Sequence, residues 1–158
     1  MWASETMPRF GQRSTQVLVT LHPALQHVLK EAIKVRDFTL IEGYRSRELQ
    51  EEYFRTGKTK LHYPDSLHNK QPAQAVDLAP WYPESPHVRW DKREEFYSLA
   101  GFIQGIGATY GIVIRSGGDW DQDGDHHDQS FHDLPHLELR EWPSEYDAPL
   151  DYITPVSH

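Results

Sequence analysis

The chain has 158 residues, 37% of them hydrophobic, with a formal net charge of −8 and a mean hydropathy of −0.72. That length fits one domain that buries roughly two-thirds of its unfolded surface, and five Trp, eight Tyr and six Phe supply a core that a disordered chain would lack. The acidic balance argues against a nucleic-acid partner, and the lack of Cys excludes disulfides and thiolate zinc sites, leaving any metal to His and carboxylates.

The opening MWASETMPRFGQRS has no apolar run between a charged start and a small-residue cleavage site, so neither a secretory signal nor a membrane span is expected. From Pro23 to about Val35 the spacing of Leu25, Val28, Leu29 and Ile33 predicts a helix behind an N1-type proline. DFTLIEGYRS predicts a short strand ending at Gly43. Ser46 then caps a second helix through RELQEEYFRT, stopped by Gly57. After a loop, QAVDLAP alternates, with Val76 and Leu78 on one face and Ala75, Asp77 and Ala79 on the other. Small neighbours around Asp77 suit the floor of a cleft.

A proline-rich connection, WYPESPHVRW, leads to the clearest helix, with Asp91 and Glu94 as a capping-box-like start. Its predicted buried stripe is Phe96, Leu99, Ala100, Ile103, Gly107 and Tyr110, with Gly111 just past the end. GIVIRS reads as a strand and GGDWDQDGDHHDQSFHD as a long polar loop. HLELREW is a second alternating strand, with His136, Glu138 and Arg140 opposite Leu137 and Leu139. Helices followed by separated strands with hairpin-like late connections predict an α+β domain, its polar tail from Pro143 to His158 wrapping the surface.

If QAVDLAP and HLELREW are sheet neighbours, Asp77 and His136 converge with His68 from the adjoining loop. Two imidazoles and a carboxylate, with a fourth position left for water, form a catalytic zinc arrangement. Asp133, three residues before His136, is the candidate proton acceptor, provided a bend at Pro135 turns it to the metal's side. His132 is a rival ligand. With ten His and 24 acidic residues such triplets also arise by chance. In DWDQDGDHHDQS, residues Asp119, Asp121, Asp123 and Asp125 occupy EF-hand-like calcium positions, although Ser130 stands where a bidentate Glu belongs. The alternative there is an exposed acidic loop whose side chains cap turns.

Taken together, EGYRSRELQEEYFRTGK, SLHNKQPAQAVDLAP, FYSLAGFIQGIGATYGIVIRSGGDW and FHDLPHLEL resemble the M15 peptidoglycan peptidases, zinc enzymes that include VanY-type D-alanyl-D-alanine carboxypeptidases and phage L-alanyl-D-glutamate endolysins. The resemblance covers most of residues 20 to 140, in the family's order. It implies a Hedgehog/DD-peptidase-like fold, a small antiparallel sheet flanked by helices, over a single domain spanning residues 1–158. It further implies metal ligands at His68, Asp77 and His136, a catalytic carboxylate at Asp133, substrate and oxyanion binding by Arg45, and a substrate hydrogen bond from Ser66. A turn-forming role for Ser66 is the alternative. Many members have six residues between the histidine and the aspartate, whereas this chain has eight, read here as a longer loop.

The function so implied is zinc-dependent hydrolysis of an amide in the peptidoglycan stem, L-alanyl-D-glutamate cleavage by a phage endolysin during host lysis. The alternatives are a D-alanyl-D-alanine carboxypeptidase and a non-catalytic wall-binding module. A monomer is expected, made in the host cytoplasm and acting on the envelope.

Overall fold

The computed structural model describes residues 7–123 and 133–147. Four strands, β1 (Phe38–Glu42), β2 (Ala75–Pro80), β3 (Val113–Ser116) and β4 (His136–Glu141), form one sheet in the order β1-β2-β4-β3, every neighbouring pair antiparallel. The helices are α1 (Gln12–Leu18), α2 (Pro23–Ile33), α3 (Arg47–Arg55) and α4 (Arg93–Thr109), with short 3₁₀ turns at Leu67–Asn69 and Ser144–Asp147. Among the described residues no helix is long and apolar enough to cross a membrane.

Alternation in β2 and β4 decides what lies on each side of the sheet. Val76, Leu78, Leu137 and Leu139 join Leu25, Val28 and Leu29 of α2 and Leu99 and Ile103 of α4 in one core. A Leu or Ile buried this fully contributes about 1.5–3 kcal/mol relative to exposure. Asp77, His136 and Glu138 take the opposite face. Ala75 and Ala79 on that face are fully buried, while the Asp77 side chain between them keeps 20% of its surface exposed. β2 is an inner strand, paired with β1 on one side and β4 on the other.

Ser46 caps α3 as expected, its Oγ accepting from Leu49 N at 3.2 Å, and Gly57 beyond the end has φ +79°. Two expectations for α4 need correction. The helix begins at Arg93 behind Lys92, which makes no side-chain cap, so Asp91 and Glu94 do not form a capping box. Tyr110 is the C-terminal cap residue and is exposed, because the buried stripe ends with Gly107. At Gly107 a β-carbon would come within 2.8 Å of the Ile112 carbonyl oxygen, so the chain turns there against bare backbone. Of the tail, the turn Ser144–Asp147 packs on α2, with Tyr146 Oη 2.7 Å from His27 Nδ1. Residues 148–158 lie outside the described residues.

α1 was not foreseen. Its sequence, QRSTQVL, has no apolar stripe, and it buries Ser14 and Leu18. The buried hydroxyl has long-range partners: Ser14 Oγ accepts from Leu40 N at 3.0 Å and lies 3.1 Å from Thr39 Oγ1. The helix thereby packs on edge strand β1 and supplies an acceptor to one of its backbone donors.

Candidate metal centre

β2 and β4 place Asp77 and His136 directly opposite each other in the ladder. His68 arrives on the 3₁₀ turn Leu67–Asn69, which is held by a reciprocal cap. Ser66 Oγ accepts from His68 N at 3.2 Å, and Asn69 Oδ1 accepts from Ser66 N at 3.1 Å. The longer connection to Asp77 is tied to its surroundings by Ala73 N donating to Thr20 O at 3.0 Å and Gln74 N donating to Leu67 O at 3.1 Å. The eight residues thus form a fixed arm between the two side chains.

The three side chains meet. His68 Nε2 lies 3.3 Å from both Asp77 Oδ1 and His136 Nδ1, and His136 Nδ1 lies 3.2 Å from Asp77 Oδ1. Bonds of about 2.0–2.1 Å in tetrahedral geometry put ligand atoms about 3.3–3.4 Å apart, so the triangle has the size a zinc ion requires. The ring tautomers fit as well. His68 Nδ1 is 2.7 Å from the Gly43 carbonyl oxygen, so Nδ1 carries the hydrogen and Nε2 the lone pair. His136 Nε2 is 2.9 Å from Glu138 Oε1, so it donates there and presents Nδ1 to the triangle. Three electron-rich atoms facing one point need a metal ion or a proton between them. This His-Asp-His group, His68 only 2% exposed, can hold a metal.

The charges report the same competition. Burial by itself would lower the His136 pKa, but hydrogen bonds to Asp77 and Glu138 and the charges of Asp77 and Asp133 raise it to about 9. Burial would raise Asp77, yet hydrogen bonds from His136 and His68, with their charges, hold it well below the usual carboxylate range.

Asp133 stands in a turn just before β4. Its backbone N donates to Gly117 O at 2.9 Å, and its carbonyl accepts from His136 N at 3.1 Å. A β-carbon on Gly117 would lie 2.1 Å from the Asp133 carbonyl oxygen, so only glycine permits this approach. Burial, then the charge of Asp77, raise the Asp133 pKa against the opposing pull of His136, His68 and Arg45. The carboxyl therefore feels all three members of the triangle.

Arg45 is 7% exposed. Its Nε donates to Glu42, its Nη1 donates to Gln50 Oε1 at 3.0 Å, and the guanidinium lies 4.8 Å from the Tyr53 ring centroid. A bulge between Leu40 and Glu42 slips β1 so that Glu42 pairs with Asp77 and shares its face. Among the described residues Nη2 of Arg45 takes no hydrogen-bond partner, which leaves one arm of the fork for a ligand.

The profile of the family described as Phage L-alanyl-D-glutamate peptidase matches residues 7–140. The chain belongs to this family. The L-alanyl-D-glutamate peptidase of Escherichia phage T5 is 30% identical over 136 residues, covering 83% of this chain and 97% of that protein. The crystal structure of the Serratia marcescens L-Ala D-Glu endopeptidase ChiX matches with a TM-score of 0.67 at 25% identity, covering 89% of this chain and 96% of ChiX. The small antiparallel sheet with its helices is thus a shared α+β fold.

Several residues that shape this peptidase site had no role assigned from sequence. Gln50 and Asn69 join the two motif loops: Asn69 Nδ2 donates to Arg45 O at 2.9 Å and to Gln50 Oε1 at 3.2 Å, and Gln50 Nε2 donates to Leu61 O at 2.7 Å. Gln50 is the glutamine of the GYRS…Q…G pattern, with no role attached, and the signal for Asn69 is its place beside His68. Glu138 is the glutamate of the D-x-P-H-x-E pattern and lies on the His136 face of β4, but neither reading gives it a role. In the acidic loop, carboxylate oxygens of Asp119, Asp121 and Asp123 lie within 4.8 Å of one another. Asp123 N donates to Asp119 Oδ1 at 3.2 Å and to Asp121 Oδ1 at 3.3 Å, the pattern of side chains capping a turn. Asp125, Ser130 and the rival ligand His132 lie outside the described residues.

Proposed function

We propose that this single-domain peptidase hydrolyses the amide between L-alanine and D-glutamate in the peptidoglycan stem, with zinc held by His68, Asp77 and His136. The observation that carries this reading is the triangle of ligand atoms 3.2–3.3 Å on a side, both imidazole lone pairs turned inward. Family membership and the named activities of the phage T5 and Serratia relatives support the substrate. A borderline-soft ion suits two nitrogens and one oxygen in a chain without cysteine.

Bound there, zinc supplies Lewis acidity toward the amide carbonyl and lowers the pKa of water toward about 7. Asp133 takes a proton from the attacking water on its carboxylate and returns it to the leaving amine nitrogen as the C–N bond breaks and a C–O bond forms. Its raised pKa brings it nearer the operating range of a general base than an ordinary carboxylate. Arg45, steadied by Glu42 and Gln50, offers Nη2 to a substrate carboxylate or to the carbonyl oxygen as it gains negative charge. Ser66 holds the His68 turn through its acceptor lone pair, and its O–H remains to donate to substrate. The protein is made in the host cytoplasm and acts on the wall as a phage endolysin.

Mass spectrometry of fragments from defined muropeptides, with and without chelator, tests this. The expected result is a new amino-terminal D-glutamate that disappears with chelator and in Asp133→Asn. Release of free D-alanine would assign the carboxypeptidase bond instead. Wall binding without any cleavage in zinc-replete buffer would overturn the catalytic reading.

A further inference from the structure

Glu138 follows His136 by two residues on β4 and shares its face. Its side chain is 7% exposed, a costly position for a carboxylate unless both oxygens are paired. Both are. Oε1 lies 2.9 Å from His136 Nε2, and Oε2 accepts from Arg115 Nη2 at 2.8 Å and from Arg140 Nη1 at 3.4 Å. Arg115 is the cross-strand partner of Glu138 in the β3–β4 ladder. Its Nη1 donates to Trp120 O at 3.4 Å, and its guanidinium lies 5.2 Å from the Trp120 ring centroid. Trp120 in turn lies 5.6 Å from the His136 ring, centroid to centroid.

The geometry points to Glu138 as the positioning residue of the metal centre, and to Arg115 as the brace that holds Glu138 for that task. The inference rests on the proposed zinc reading and extends it from the three ligands to what fixes one of them. An imidazole can hydrogen-bond through either nitrogen, and only the Nε2–H tautomer of His136 turns a lone pair toward Asp77 and His68. The Glu138 carboxylate accepts only, so it selects that tautomer, and its charge makes Nδ1 a stronger donor to a cation. His68 is held in the complementary sense by the neutral Gly43 carbonyl, so His136 alone draws on a carboxylate outside the triangle. A cross-strand Arg–Glu ion pair that served the sheet alone would not need Oε1 on the imidazole. Among the described residues Arg115 Nε is buried without a hydrogen-bond partner, so deleting the carboxylate would strip further from this guanidinium. Glu138→Gln, which keeps the volume, is therefore the primary variant.

The experiment measures zinc affinity of wild type, Glu138→Gln and Arg115→Lys by competition with a chromogenic chelator. Metal-free melting checks that each variant folds, and ¹H–¹⁵N NMR of the zinc-loaded proteins reads the His136 tautomer. Glu138→Gln should bind zinc about 10–100-fold more weakly, and its His136 Nε2–H should lose the downfield shift and slow exchange of a carboxylate-bound proton. Arg115→Lys should weaken zinc in the same direction and by less. A loss smaller than about tenfold in a folded Glu138→Gln would overturn the positioning role, because a purely structural ion pair lowers melting without touching metal affinity. Wild-type protein that takes up no zinc would overturn the metal centre, and this inference with it.

Discussion

His68 Nε2 stands 3.3 Å from His136 Nδ1, two nitrogens 68 residues apart in the chain, each with its other ring nitrogen committed to a hydrogen bond that turns a lone pair inward. Two such atoms repel unless something positive lies between them. The sheet register and the capped 3₁₀ turn hold them there, with Asp77 as the third corner.

In the metal-free protein that positive charge is a proton. His136, raised to about 9, is protonated at neutral pH, whereas a ligand imidazole must be neutral. Zinc affinity should therefore rise about tenfold per pH unit from 7 toward 9, with about one proton released per ion bound at pH 7. Calorimetry in buffers of different ionisation enthalpy measures the release. Binding without proton release would remove the proton from this position.

The same shift sets the stability of the metal-free fold. A folded pKa above the unfolded value of about 6.5 gives a contribution that is complete below that value and fades as pH climbs through about 9. Asp77, held below its ordinary range, contributes above the usual carboxylate pKa and loses this in acid. Melting temperatures of metal-free protein should fall between pH 7 and 10, and the zinc-loaded protein should not show that fall.

Asp133→Asn should lower kcat about 10²–10⁴-fold, the range for a lost general base, and leave zinc stoichiometry unchanged. Muropeptide kinetics with metal analysis of the same samples separates this from His68→Ala, which should lose both.

Gly117→Ala places a methyl 2.1 Å from the Asp133 carbonyl oxygen, and that backbone must move. Overpacking of this kind costs about 1–3 kcal/mol, read as a lower urea midpoint. The displaced Asp133 should reduce kcat more than zinc affinity.

Arg45→Lys keeps a charge but loses the fork that engages Glu42 and Gln50 together. kcat/KM should fall at least about tenfold with zinc content intact, since Arg45 stands outside the triangle.

Elements with a strong local period were legible in the sequence. β2, β4, α2 and the body of α4 follow from alternation or helical spacing, and the ligand face of the sheet follows from the same alternation. The convergence of His68, Asp77 and His136 was readable once the two strands were assumed to be neighbours. What escaped was polar and buried through distant partners. α1 packs through Ser14, whose reason for burial is Leu40 N in another element. Glu138 stands in the D-x-P-H-x-E pattern and on the ligand face, but its role follows only from Arg115 and His136 closing on it. Gln50 and Asn69 bond each other across 19 residues, a pairing no local pattern encodes. The α4 start was misread because Asp91 and Glu94 satisfy a capping pattern that the backbone at Lys92 does not use.

Zinc K-edge X-ray absorption of the loaded protein tests the central claim most directly. The predicted spectrum shows one ion per chain with imidazole scattering from two histidines and light N/O ligands at about 2.0–2.1 Å. Less than one ion per chain at saturation, or a spectrum without imidazole scattering, would contradict it.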